Sequence, residues 1–308
     1  MMVKHWIGTL ALALATPAIA QVDPSPQPAE PDGDIIVEAP PSKAERKREL
    51  RRMISGLFRN PRSGRTVATF LDAPCPEVFG IPDAIGAAIA SRIRANAAEL
   101  GVNRRNPREN CKRNISIIFV GPEKGQAIDW LTDDSDLLDH LLLYERTRVL
   151  NEEGPVRAWT YKNVLSADGF DIPDRNGRSA ASLANFANRV IFPTRLSKPI
   201  SVELSGAVVM IERQKAEGKT LEQLADYATM RAFADLNGLG SEHAYPAPTI
   251  LTLFENEGAP GELTDFDRAF LSKLYRAPRN SRINRFYSVI AANAERSERE
   301  ASLSVLKD

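Results

Sequence analysis

The residues with the clearest chemical potential stand in one short stretch of this sequence. Asp226, Tyr227, Arg231 and Asp235 lie close together, and His243 follows them. On an α-helix Tyr227, Arg231 and Asp235 share one face, because they are spaced i, i+4 and i+8. That face has two interpretations. One is a buried ion pair of Arg231 and Asp235, with the Tyr227 hydroxyl as a further hydrogen-bond partner for the buried polar groups. The other is a polar cleft, with Asp226 and His243, that binds a peptide or a small ligand.

The residue inventory gives little support for metal or nucleophile chemistry. A zinc site needs three or four nitrogen, sulfur or carboxylate ligands. The chain has only three histidines, and one of them, His5, lies in the segment that we expect to be removed as a signal peptide. A mixed site of Asp226, Asp235 and His243 is the remaining alternative. The sequence contains no G-x-S-x-G motif and no phosphate-binding or dinucleotide-binding loop. We therefore expect no bound metal, no cofactor and no serine or cysteine nucleophile.

A predicted strand and helix must position these residues. The apolar, β-branched run from Ala207 to Ile211 has the composition of a buried strand. Thr220 fits a helix N-cap with Gln223 at the spacing of a capping box. Asn237 and the following glycine are typical of a helix end. The sequence thus predicts a helix over about 220–236, which is apolar on nearly every face and so belongs in the core.

The same stretch resembles the zincin class of zinc metallopeptidases. In zincins a strand leads into a helix that contains H-E-x-x-H, and a turn and a closing helix with an acidic start follow. The corresponding order here is Val208–Glu212, then 220–236, Pro248–Phe254 and Leu263–Tyr275. The resemblance implies an α+β fold in which a mixed sheet packs against helices. Ala225–Thr229 stands where we align H-E-x-x-H, so the resemblance is to a degenerate, exported bacterial zincin without the zinc ligands.

The first residues predict export. Lys4 precedes an apolar run from Trp6 to Ala15, and Ala18–Ala20 is a small-residue cleavage site. We expect residues 1–20 to be a signal peptide cleaved after Ala20, with the protein then in the periplasm. No later window has the length of a transmembrane helix. The mature chain would carry 39 basic and 40 acidic residues, since the leader holds Lys4 and no acidic residue. This balance gives no reason to propose nucleic acid as a partner.

Cys75 and Cys111 are the only cysteines, and both remain after cleavage. In an exported protein an even pair of this kind predicts a disulfide. Closing a loop of this length is worth roughly 3–4 kcal/mol in the chain-entropy treatment.

Two segments near the start of the expected mature chain have alternative interpretations. Residues 21–42 are rich in proline and acidic residues, which predicts a disordered linker. Within it, Asp34–Ala39 resembles the short box through which a periplasmic energy-transducing protein engages outer-membrane receptors; a plain linker or an added edge strand are the alternatives. Lys43–Arg59 has the pattern of a basic amphipathic helix, whose arginines either meet an anionic membrane or are simply solvated.

We therefore expect a single zincin-like α+β domain over 43–280 and a C-terminal helix or tail over 281–308. The expected function is that of a non-catalytic binding or interaction protein of the cell envelope. The alternative is a hydrolase with a non-standard site around Asp226, Arg231 and His243. A third hypothesis is an envelope accessory factor that docks through Asp34–Ala39.

Overall fold

The computed structural model describes residues 42–58, 66–102, 111–121, 131–132, 136–170, 198–237, 247–255 and 257–290. The predicted signal peptide, nearly all of the predicted linker, His243 and residues 291–308 lie outside these stretches. No described helix is both long enough and apolar enough to cross a membrane.

The described strands form one sheet built around a long strand. The strands are β1 (Ala68–Phe70), β2 (Pro76–Phe79), β3 (Ile115–Val120), β4 (Val156–Ser166) and β5 (Ile200–Glu212). Along one edge β5 pairs in parallel first with β1 and then with β3, and β2 continues in parallel beside β3. Along its other edge β5 pairs with β4 in antiparallel orientation. Within the described residues β4 is thus an edge strand.

Both faces of the sheet around β5 are buried. Successive side chains of a strand point to opposite faces, so the apolar residues of β5 contribute to both cores. Ala207, Val209 and Ile211 face the larger core, and Val208 and Met210 face a smaller one that contains Trp159. A strand buried on both faces reads as a continuous apolar run, which is why 207–211 shows no polar alternation.

The helices supply the two covering layers. They are α1 (Lys43–Leu57), α2 (Asp83–Glu99), α3 (Leu143–Leu150), α4 (Arg213–Ala216), α5 (Leu221–Phe233) and α6 (Asp265–Arg276), with 3-10 turns at Asp136–Leu138 and Ile250–Thr252 and helical residues at 283–290. The larger core contains buried residues of α1, α2, α5 and α6, whereas the smaller one contains Leu138 and Val149.

The expected α+β class with a mixed sheet is confirmed, since four of the five strands run parallel and β4 runs against them. The capping box at the start of α5 is also confirmed: Thr220 Oγ1 accepts from Gln223 N at 3.1 Å, and Gln223 Oε1 accepts from Thr220 N at 3.0 Å. The predicted end of this helix is wrong. It stops at Phe233, and Leu236 instead forms a β-bridge with Phe58 at the end of α1.

The N-terminal helix begins at Lys43 as predicted and is two residues shorter than predicted. Ser42 caps α1, and the helix ends at Leu57 instead of Arg59. Its apolar residues Leu50, Ile54 and Leu57 are almost completely buried in the larger core. An apolar face that packs in the core is not available for insertion into a bilayer.

The predicted disulfide joins Cys75 and Cys111, with Cα atoms 6.0 Å apart. It ties the start of β2 to the segment that enters β3. Asn114 strengthens this junction, since its Oδ1 accepts from Cys75 N at 2.7 Å and its Nδ2 donates to Ala73 O at 3.1 Å.

Replacement of the disulfide tests this junction. Cys75→Ser should lower the free energy of unfolding by about 2–5 kcal/mol, because the unfolded chain regains the freedom that the cross-link removes. Urea denaturation measures the change, and reduced wild type is the control that should lose a similar amount. Alkylation of both thiols in native, unreduced protein would contradict the disulfide.

A buried carboxylate, Asp267, joins α6 to the 3-10 turn at Ile250–Thr252. Its Oδ1 accepts from Thr249 Oγ1 at 2.6 Å, and its Oδ2 accepts from Ile250 N at 2.8 Å and from Thr264 N at 3.1 Å. Burial raises the pKa of Asp267, although these hydrogen bonds act to lower it. The folded protein thus binds this proton more tightly than the unfolded chain does.

Asp267 should therefore contribute less stability as the pH rises. A raised carboxyl pKa in the folded state means that stability is lost from about pH 4 upward, as the unfolded chain ionises first. Asp267→Asn removes the titration. The free energy of unfolding of wild type minus that of the variant, from urea melts at several pH values, should decrease with rising pH. A difference that stays constant or increases would contradict the inference.

Candidate functional site

The helix α5 buries charged side chains together with apolar ones. Asp226 is 0% exposed and Arg231 is 2% exposed. A buried charge is tolerated only when an opposite charge or a set of hydrogen bonds compensates for the lost water. The partners of these two residues therefore decide how α5 is held and what its faces can bind.

Asp226 lies on the side of α5 that packs against α2. Its Oδ1 accepts from Arg92 Nε at 2.9 Å and from Asn96 Nδ2 at 2.6 Å. Its Oδ2 accepts from Arg92 Nη2 at 2.9 Å and from Leu263 N at 2.8 Å. The hydrogen bonds to Asp226, together with its negative charge, raise the pKa of Arg92. With four donors around its two oxygens, this carboxylate is fully occupied as a structural link.

Arg231 lies on the side of α5 that faces β4. Its Nη1 donates to the Tyr227 hydroxyl at 2.9 Å, and its Nη2 donates to Glu152 Oε1. Glu152 Oε2 accepts in turn from Ala158 N of β4 at 3.1 Å. Arg231 Nε is buried and has no hydrogen-bond partner in the part of the chain that the structure describes. The three side chains form what we call the Arg231 cluster: Tyr227, Arg231 and Glu152.

The electrostatics keep the Arg231 guanidinium protonated. Burial would lower the pKa of Arg231, but attraction to Tyr227 and Glu152 and the hydrogen bonds to them raise it overall. Burial raises the pKa of Tyr227, so its hydroxyl is neutral and accepts the hydrogen bond from Arg231. The Tyr227 ring also packs edge-on against Phe254, with centroids 4.9 Å apart.

The predicted pairing of Arg231 with Asp235 is wrong. Because α5 ends at Phe233, Asp235 leaves the helix and does not continue the face of Tyr227 and Arg231. Asp235 instead forms an ion pair with Lys162 at 2.7 Å and accepts from Thr160 Oγ1 at 3.1 Å. Both partners belong to β4, so the Asp235 contacts lie along the same strand as those of the Arg231 cluster.

The structure brings together only part of the residues proposed from sequence. Tyr227 and Arg231 touch, and Asp235 lies beside the same strand, but Asp226 belongs to a separate network on α2. His243 is outside the described residues. The two carboxylates of the mixed metal site, Asp226 and Asp235, thus belong to different hydrogen-bond networks. No group of metal-binding side chains occurs in the described part of the chain.

Sequence reasoning missed the partners that complete both networks, chiefly Arg92, Asn96 and Glu152. Each lies far from α5 in the chain, and Glu152 is 79 residues from Arg231. A local helical pattern gives no signal for such a partner. The alternation of Ala158, Thr160 and Lys162 on one side of β4 was the available clue to what faces α5.

Comparisons with known proteins add no assignment, since no protein family, no curated protein and no solved structure matches the chain. The geometry therefore has to carry the functional interpretation. The described residues include a fixed, neutralised cation next to an edge strand. The Arg231 cluster contains no paired nucleophile and base.

A double-mutant cycle tests the partner of Arg231. Arg231→Ala should lower the free energy of unfolding by about 3–5 kcal/mol, because it leaves Glu152 desolvated without its cation. The double variant, which also carries Glu152→Ala, should lose less stability than the sum of the losses in the two single variants. Urea denaturation midpoints measure all three losses.

Asp235→Ala is the matched control for this cycle. It removes a carboxylate near α5 that does not bind Arg231, so its effect and that of Arg231→Ala should add to within about 0.5 kcal/mol. Strong coupling to Asp235 with additive behaviour at Glu152 would contradict the observed pairing.

Proposed function

We propose that this chain is an exported, zincin-like protein of the periplasm that binds an extended segment of another protein without catalysing a reaction. The observation that carries the proposal is the buried Arg231, ion-paired to Glu152, on the face of α5 that looks toward the edge strand β4. The disulfide supports export, because such bonds persist in oxidising compartments.

The side chains on α5 support a zincin-like helix that holds a fixed cation in place of a metal. The two histidines of H-E-x-x-H are spaced i, i+4 on one helix face. In our alignment Ala225 and Thr229 stand at the two histidine positions, and Asp226 stands in place of the glutamate that would act as general base. Asp226 already accepts hydrogen bonds from Arg92, Asn96 and Leu263. Tyr227 and Arg231 contact each other on the neighbouring face. Arginine stays protonated and has no lone pair for a metal, so Arg231 cannot act as a zinc ligand.

The outer edge of β4 supports an extended peptide as the ligand. Ala158 N donates to Glu152, and Ser166 N donates to Phe170 O, so both groups point away from β5. Since alternate residues of a strand direct their backbone groups to the same side, the N–H groups of Thr160, Lys162 and Val164 point outward too. No described strand pairs with this edge. An incoming peptide gains backbone hydrogen bonds there by adding a strand.

The alternative function, a hydrolase around Asp226, Arg231 and His243, has weaker support. Asp226 accepts hydrogen bonds from Arg92, Asn96 and Leu263, and these contacts leave it no role beside Arg231. A general base must lie within hydrogen-bond reach of its nucleophile.

A metal assay separates the two functions. The purified protein should contain no stoichiometric zinc after incubation with zinc and removal of the excess, because Ala225 and Thr229 stand at the aligned histidine positions and Arg231 has no lone pair for a metal. Elemental analysis by mass spectrometry measures the content, and a casein digestion assay should show no activity above buffer. One zinc per chain, or zinc-dependent digestion, would refute the non-catalytic proposal.

A proline substitution tests the binding edge. Peptides selected from a random library on the wild type serve as probes, and their affinity is measured by fluorescence anisotropy. Val164→Pro should weaken binding by about tenfold, because it removes one outward N–H while leaving the pairing with β5 intact. Val164→Ala, which keeps the N–H, is the control and should bind as the wild type does. Equal losses in both variants would show that the edge backbone is not the binding element.

A further inference from the structure

Basic side chains are concentrated on two segments of a chain whose formal net charge is zero. The helix α1 carries six basic and two acidic residues. Residues 268–290 carry six basic residues and no acidic one. In a chain with equal numbers of positive and negative side chains, such a separation leaves one part of the surface strongly positive.

Eight of these basic side chains are exposed and form no ion pair with a described residue. Arg268 differs from them, since it binds Glu99 and Glu262. The following exposed residues form no ion pair with any residue that the structure describes: Lys43, Lys47, Arg48, Arg51, Arg52, Arg276, Arg279 and Arg285. Because these side chains are exposed, their charges can attract an external anion.

The two segments are packed against each other. Phe58, which follows α1, contacts Phe286 with ring centroids 5.6 Å apart and Tyr287 with centroids 5.5 Å apart. It also contacts Phe270 of α6 at 5.6 Å. This aromatic contact places the end of α1 beside the helical residues 283–290. We call the exposed basic residues of α1 and of 276–285 the basic surface.

The apolar sides of both segments are used for folding. Leu50 and Ile54 of α1, and Ile283 and Ile290 of the second segment, are at most 4% exposed. The main apolar face of each segment is therefore packed in the core, and most of the exposed side chains on these segments that could meet a partner are basic.

We propose that the basic surface docks the protein on an anionic phospholipid bilayer through charge alone. The helix α1 has 15 residues and so spans about 22 Å, enough to meet several lipid headgroups in one plane. Exposed Lys and Arg residues gain from the negative potential of anionic lipids, and this attraction falls off within a Debye length. The proposal does not depend on the peptide site, because the basic surface lies on other elements than α5 and β4.

Vesicle co-sedimentation of the purified protein tests the proposal. At low salt the wild type should bind phosphatidylglycerol vesicles and not phosphatidylcholine vesicles, and added salt should release it. Each basic residue near an anionic surface is worth about 1 kcal/mol, or about fivefold in partitioning. Arg48→Gln with Arg51→Gln, and separately Arg276→Gln with Arg285→Gln, should each weaken binding by about twenty-fivefold on this scale.

The matched control is Arg94→Gln with Lys215→Gln, which removes two exposed charges from α2 and α4. This variant should bind phosphatidylglycerol as the wild type does, and all three variants should keep the wild-type melting temperature. Equal binding to both kinds of vesicle, or equal losses in the control, would overturn the proposal. Loss confined to the α1 variant would overturn the two-segment surface, and binding to DNA with none to vesicles would overturn the lipid assignment.

Discussion

The structure depends on the compensation of two opposite charges buried on different sides of α5. Asp226 is held by Arg92 and Asn96 of α2, and Arg231 is held by Glu152 next to β4. A desolvated charge without a partner costs several kcal/mol, so each ion pair specifies how its neighbouring element must sit against α5. The helix is thereby fixed both to the layer of helices and to the edge of the sheet, in one orientation.

The sheet provides the second constraint, because β5 uses both of its edges. One edge takes β1 and β3 end to end, and the other takes β4 along nearly its whole length. The register of β4 shifts between Tyr161 and Lys162, beside Gly206. A Cβ at residue 206 would lie 3.0 Å from the Tyr161 ring and 3.4 Å from Asn114 O, so glycine allows the close approach of β4. Among the described residues β4 is one of the edge strands of the sheet, and it is the one that faces Arg231 and Asp235.

The two proposed surfaces use charge in different ways. At the Arg231 cluster the positive charge is buried and neutralised by Glu152, so it orients neighbouring groups without attracting distant anions. On the basic surface the charges are solvated and lack acidic partners among the described residues, so they act at long range and respond to salt. A protein that combines them would be held near an anionic bilayer while its edge strand remained free to bind a peptide.

The sequence by itself determined the elements whose signals are local. The Thr220–Gln223 capping box, the apolar run of β5 and the pairing of the two cysteines follow from residues close in sequence or from simple counting. Tertiary structure alone decided the partners of the charges and the end of α5. Asn237 N donates to Leu57 O at 2.6 Å, and this contact with α1 replaces the last helical turn that local preference predicts. Arg231 binds Glu152 instead of Asp235 for the same reason: a buried charge takes the partner that folding brings near, whatever its distance along the chain.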